Sequence, residues 1–136
     1  MTPGIHRCFN GCCREAFDFY RALFGGEIIT LMSYGESPLA ADTDTRFHEY
    51  IIHASLRFDG GEIAGADLLP DAYEPPRGFF VLMSIDSLAR ARDIFAGLAD
   101  GGSIRMPLQP TFWSPGFGVV TDRFGIPWEI SCADAK

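Results

Sequence analysis

The chain has 136 residues, a formal charge of −7 at pH 7 and 47% hydrophobic residues. That length and composition suit one ordinary soluble domain with a buried core. The acidic balance works against nucleic acid or an anionic membrane as the main partner, since both would repel it. No stretch approaches the roughly 18 apolar residues of a membrane span, and Gly4, His6, Arg7 and Asn10 are not the pattern of a signal peptide. A cytoplasmic location is expected, where Cys8, Cys12, Cys13 and Cys132 would stay reduced. Their spacing is not zinc-like. Three lie near the start of the first expected helix, where a helix dipole can favour a thiolate, although free thiols usually pack as small apolar groups.

In chain order, Ile5 to Phe9 reads as a short strand, and Asn10-Gly11 as a turn or cap before a helix from about Cys12 to Phe24. Glu27 to Tyr34 is a strand rich in Ile and Leu, and 35–49 a mobile polar loop. Residues 49–58 alternate, with Tyr50, Ile52, Ala54, Leu56 and Phe58 on one side and Ile51, His53, Ser55 and Arg57 on the other. Asp59-Gly60-Gly61 turns the chain into a strand over 62–67. A Pro-rich linker, 68–77, precedes a strand over 78–85 and a second helix, capped by Asp86 or Ser87, that runs to Leu98. Strands over 103–108, 116–121 and 127–132 complete the chain, the last two joined by a turn through 122–125.

The two helices echo each other. Ala16, Phe19, Tyr20 and Leu23 precede Gly25-Gly26; Ala91, Ile94, Phe95 and Leu98 precede Gly101-Gly102. Stripe, Asp (Asp18, Asp93), glycine pair and following strand all match, which indicates two copies of one supersecondary unit. The expected fold is α+β: two βαβββ modules, about 5–67 and 78–132, in one domain over 1–136. Together they would form a cupped, mainly antiparallel sheet with the helices outside.

Strand parity then nominates a site. Trp128, Ile130 and Cys132 form the apolar side of the last strand, so Glu129 and Ser131 face the concave side. His53, with Ser55 and Arg57, faces it from the third strand, and Arg7 is counted inward with Ile5 and Phe9. A carboxylate, an imidazole and a guanidinium there suit an anion, a proton transfer or a divalent metal. Phe80 and Leu82 share a side with Ser84 and add apolar lining. The segment 110–117 puts Phe112, Trp113 and Phe117 between prolines and a glycine, as a cover for an apolar ligand or as subunit interface. His6 and His48 read as surface histidines. No HExxH, P-loop, GxGxxG or GxSxG motif is present.

Paired βαβββ modules in this order resemble the vicinal oxygen chelate superfamily, which includes glyoxalase I, extradiol dioxygenases, fosfomycin-resistance enzymes and bleomycin-resistance proteins. The stretches 9–20 (FNGCCREAFDFY), Ile52-His53-Ala54, Pro110-Thr111-Phe112-Trp113, 116–118 and 121–128 (TDRFGIPW) look like its PhnB-like branch. That branch often carries a methyltransferase-like label, but no glycine-rich nucleotide loop is visible here. The resemblance implies a homodimer and, in metal-using members, ligands from the first, fourth, fifth and eighth strands. Those positions fall on Ile5, near Ala64, on Phe80 and on Glu129. A one-residue shift would bring in His6.

The first reading is a homodimer without a cofactor that binds a small apolar or aromatic molecule. Phe80, Leu82, Phe112, Trp113 and Phe117 would line the site, Arg7 would pair with an anionic group, and Glu129 and His53 would orient polar groups or act catalytically. The first alternative is a lyase or dioxygenase in which His53, Glu129 and His6 hold a divalent metal. The second is a non-catalytic structural or regulatory dimer.

Overall fold

Both helices end where a glycine pair meets a neighbouring strand. In the computed structural model, which describes residue 1 and residues 4–133, α1 spans Cys13–Phe24 and α2 spans Leu88–Ala99. Gly25 (φ 79°) closes α1 by donating its N–H to the Arg21 carbonyl at 2.9 Å. A Cβ on Gly26 (φ 93°) would overlap the Arg57 carbonyl oxygen, and one on Gly102 the Thr121 carbonyl oxygen. The repeated glycine pair is therefore the same device in both halves: it releases the helix and lets the chain pass tightly under a strand.

The chain divides into two units, residues 1–74 and 75–136, and the boundary falls within the expected linker. In the first unit β1 (His6–Phe9), β2 (Glu27–Ser33), β3 (Ile51–Phe58) and β4 (Gly61–Asp67) form a sheet in the order β1-β4-β3-β2. In the second, β5 (Val81–Ile85), β6 (Ser103–Gln109), β7 (Phe117–Thr121) and β8 (Pro127–Cys132) form a sheet in the order β5-β8-β7-β6. Each sheet has one parallel pairing, β1 with β4 and β5 with β8, and two antiparallel ones. The α+β class and the two βαβββ modules stand, as two mixed sheets of four strands each.

Four expectations need correction. The buried stripe of α1 is Cys13, Ala16, Phe17, Tyr20 and Phe24, so it is rotated toward Phe17 and Phe24, and Phe19 and Leu23 lie at its margin. The reason is an aromatic stack: Phe9 meets Phe17 (6.2 Å between ring centroids), Phe17 meets Tyr20 (6.0 Å) and Tyr20 meets Phe24 (5.7 Å). The cap of α1 comes not from Asn10 or Gly11 but from Asp67, whose Oδ1 accepts the N–H groups of Gly11 (2.9 Å) and Cys13 (3.0 Å). The polar loop carries three 3₁₀ turns, 34–36, 40–42 and 45–47, fastened by a Ser33–Glu36 capping box and by His48 Nε2, 3.0 Å from the Ala40 carbonyl and 2.9 Å from that of Thr43. Finally, β5 begins at Val81, which leaves Phe80 just ahead of the strand.

The α2 stripe is as expected: Ala91, Ile94, Phe95 and Leu98 are buried, and Ser87 caps the helix by accepting the Arg90 N–H at 3.2 Å. Beneath it lie Val120, Trp128 and Ile130, each 0% exposed. No helix among the described residues is long and apolar enough to cross a membrane.

Candidate functional site

In the second unit, cross-strand register decides which side chains share a surface. Trp128 pairs with Val120 and Ile130 with Gly118 on the face toward α2. The opposite face therefore carries Glu129 between Leu82 on β5 and Val119 on β7, and Ser131 between Ser84 and Phe117. Glu129 is half-buried, while Leu82 is 59% exposed.

The aromatic segment joins this face through Phe117. Trp113 meets Phe117 edge-on at 5.2 Å, and Phe112 meets Trp113 at 4.6 Å. Phe112 is 97% and Trp113 56% exposed, so neither serves the core. Their loop is nonetheless fixed. Ser114 Oγ lies 2.9 Å from the Gly116 carbonyl and 2.8 Å from that of Cys132, and Thr111 donates its N–H to the Ser114 carbonyl at 2.8 Å. A pinned turn displaying uncovered rings is a preorganised apolar surface. Phe80 is half-buried, with the Arg105 guanidinium over its ring at 5.7 Å.

In the first unit the face away from α1 carries His53, Ser55 and Arg57 of β3, as parity indicated. It also carries His6, whose ring stacks with that of His53 at 6.2 Å between centroids and 15° between planes. Strand β1 is thus turned over relative to the sequence expectation. Arg7 and Phe9 point toward α1, with Arg7 2% exposed and Phe9 fully buried against Phe17. The count placed Arg7 on the concave side together with Ile5 and Phe9. The missed signal was Phe9, which shares its parity and is needed by the core.

Burial of the ring, then the nearby His53 and Arg7, lowers the His6 pKa below its ordinary value of 6.5. The unfolded chain takes up this proton more readily than the folded one. The stabilising contribution is therefore complete above about pH 6.5 and is lost as the pH falls through the lower folded value. His6→Gln should lose less stability than the parent between about pH 7 and 5, as denaturant midpoints would read. In His53→Asn the His6 titration followed by NMR should move up; an unmoved titration would remove His53 as a cause.

Cys13 packs as a small buried thiol, as expected, and is not a stabilised thiolate. Burial, and then the Asp67 carboxylate, push its pKa far above the ordinary thiol range, and the same two causes raise Cys12. The helix start is already neutralised by Asp67.

His53 and Glu129 lie in different units, in β3 and β8. Of the four positions that the resemblance implies for metal ligands, Ile5, Ala64 and Phe80 offer no ligating side chain, and Glu129 does. Among the described residues no three His, Cys, Asp or Glu side chains gather closely enough to hold a metal ion. A catalytic divalent ion needs about three protein ligands, so these residues do not fit that centre.

Comparison with known proteins agrees with the architecture. The family model of the glyoxalase/bleomycin resistance protein/dioxygenase superfamily matches residues 8–130. Protein YjdN of Escherichia coli K12 is 34% identical over 139 residues, covering 96% of this chain and 95% of YjdN. The crystal structure of PA1353 from Pseudomonas aeruginosa superposes with a TM-score of 0.86 at 37% identity, covering 96% of this chain and 98% of that one. A PhnB protein from Bacillus cereus does so with a TM-score of 0.76 at 25% identity, covering 98% and 100%. Two βαβββ units and a family match running from β1 into β8 lead to one conclusion: the chain belongs to the glyoxalase/bleomycin resistance protein/dioxygenase superfamily.

Proposed function

We propose that this protein binds a small apolar or aromatic molecule on the face of β5, β8 and β7 turned away from α2, and holds it rather than transforms it. The observation that carries this reading is the pinned display of Phe112 and Trp113, 97% and 56% exposed, next to Phe117, which shares its face with the half-buried Glu129. Leaving one large apolar side chain in water forgoes about 1.5–3 kcal/mol of burial. A rigid loop that does so for two adjacent rings is explained by an occupant that covers them. Leu82, Phe80 and Phe117 complete the lining, and Glu129 orients the polar part of the ligand. The face is built from residues of the second unit alone; His53 and Arg7 belong to the first unit, with Arg7 buried toward α1.

The protein is further proposed to be a cytoplasmic homodimer with neither nucleic acid nor membrane as partner, which its charge of −7 favours. Light scattering on the purified protein would read the dimer directly.

The binding reading is tested by thermal unfolding against a library of small aromatic metabolites and drugs. A compound present at about 100 times its dissociation constant adds about 2.7 kcal/mol, a rise of several degrees. Trp113→Ala, at an exposed position, should leave the unliganded midpoint within about 2 °C and abolish most of that rise. A rise that survives Trp113→Ala, or a library without a single hit, would sink the reading.

A further inference from the structure

Resting on that reading, we propose that the ligand of this face is an organic cation: a protonated or quaternary amine carried on a flat or apolar body. Glu129 sits on an inner strand, half-buried, with Leu82 and Val119 as its cross-strand neighbours. Among the described residues its carboxylate takes part in no hydrogen bond and no ion pair. The other carboxylates with little exposure are differently placed. Asp67 and Asp122 each accept three hydrogen bonds. A carboxylate between two aliphatic side chains has lost part of its hydration and gains most from a cation that sheds its own water easily.

The rings supply the other half of such a site. Phe117 is opposite Ser131, so it is the diagonal neighbour of Glu129, about 7–8 Å away and within reach of one small head group. Trp113 and Phe112 continue the array outward. Phe80 already has a cation, Arg105, over its face. Among the described residues no guanidinium or ammonium lies over Phe112, Trp113 or Phe117. Aromatic faces and one carboxylate are the combination that selects alkylammonium groups, whose charge is diffuse and weakly hydrated. A small, strongly hydrated metal ion would ask for more oxygen or nitrogen ligands than this face holds. The net charge of −7 draws cations toward the whole surface.

The test is a tryptophan-fluorescence titration of the full-length protein with benzyltrimethylammonium, benzyl alcohol and benzoate, repeated with Glu129→Gln and Phe112→Ala. Trp128 is 0% exposed, so quenching reports Trp113. The ammonium should bind about tenfold more tightly than the alcohol, and more tightly still than benzoate. Glu129→Gln should remove that advantage and leave the alcohol unchanged. Phe112→Ala, at a fully exposed ring where folding is not at stake, should weaken the ammonium. Equal affinity for ammonium and alcohol, or an ammonium affinity indifferent to Glu129→Gln, would overturn the cation while leaving an apolar site in place. Preference for benzoate would overturn it in favour of Arg105 as the charged anchor. If none of the three probes binds, the site and its proposed ligand class fall together.

Discussion

Replacing Asp67 with Ala is expected to lower the thermal midpoint by roughly 10–15 °C. The carboxylate is 1% exposed and serves three backbone donors from two elements: Gly11 and Cys13 at the start of α1, and Ile51 at the start of β3, at 2.9, 3.0 and 2.8 Å. Helix α1 has no side-chain cap of its own, since Cys12 at the cap position makes no such bond. Asp67 takes that role from the end of β4 and adds negative charge where the helix end is positive, an effect of about 0.3–1 kcal/mol. Each donor left buried without an acceptor costs about 1–3 kcal/mol, and Gly11 is open enough for water to replace part of its loss. The sum is about 3–4 kcal/mol, a large share of the roughly 5–15 kcal/mol of a whole domain. Asp67→Asn keeps one carbonyl oxygen but turns an NH₂ toward the other donors, so about half the loss should remain. A fall of less than about 3 °C for Asp67→Ala would show that these bonds carry little of the fold.

Asp67 also marks where reading the sequence stops working. Its partners lie 56, 54 and 16 residues away, so no local pattern announces it. The helices, by contrast, are local objects. Ala91, Ile94, Phe95 and Leu98 recur at helical spacing, and every one of them is buried. In α1 the same logic placed the helix well but rotated its buried side, because the apolar side of α1, from Phe19 and Leu23 round to Phe24 and Phe17, is wider than the stripe that is buried, and the choice among Phe17, Phe19 and Phe24 is made by Phe9 and Phe58 from other strands. Alternation likewise put His53 and Glu129 on the faces away from the helices. It turned β1 over, since a strand of four residues, His6–Phe9, holds too few apolar positions to fix which side is buried.

The His6–His53 pair follows from that inversion. Parity placed His6 apart from His53 only while Arg7 was taken as the inward residue. Once Phe9 is recognised as core, His6 and Cys8 must face the other way, and parallel pairing of His6 with Ala64 sets it one strand from β3. The aromatic segment was legible for a different reason. Phe112 and Trp113 lie between Pro110 and Pro115, which keeps them out of a sheet interior and leaves them exposed, whereas Phe117, beyond Gly116, joins β7.

Replacing Asp122 with Ala should cost about 3 kcal/mol, or roughly 10 °C. The residue is 3% exposed; its Oδ1 accepts the Phe124 and Ile126 N–H groups at 2.8 and 3.0 Å, and its Oδ2 accepts the indole N–H of Trp128 at 2.9 Å. One side chain thus shapes the β7–β8 turn and satisfies the polar atom of the largest fully buried side chain. The same turn sets the register that places Glu129 opposite Val119, and a slip of one residue would rotate Glu129 toward α2. Two losses are therefore combined in one substitution, and a double-mutant cycle separates them. In a Trp128→Phe background the indole donor is already absent, so Asp122→Ala should cost about 1 kcal/mol less than in the parent. The remainder measures the turn itself. If Asp122→Ala costs the same in both backgrounds, the indole bond adds nothing, and the carboxylate is kept solely for the turn that carries Glu129 to its face.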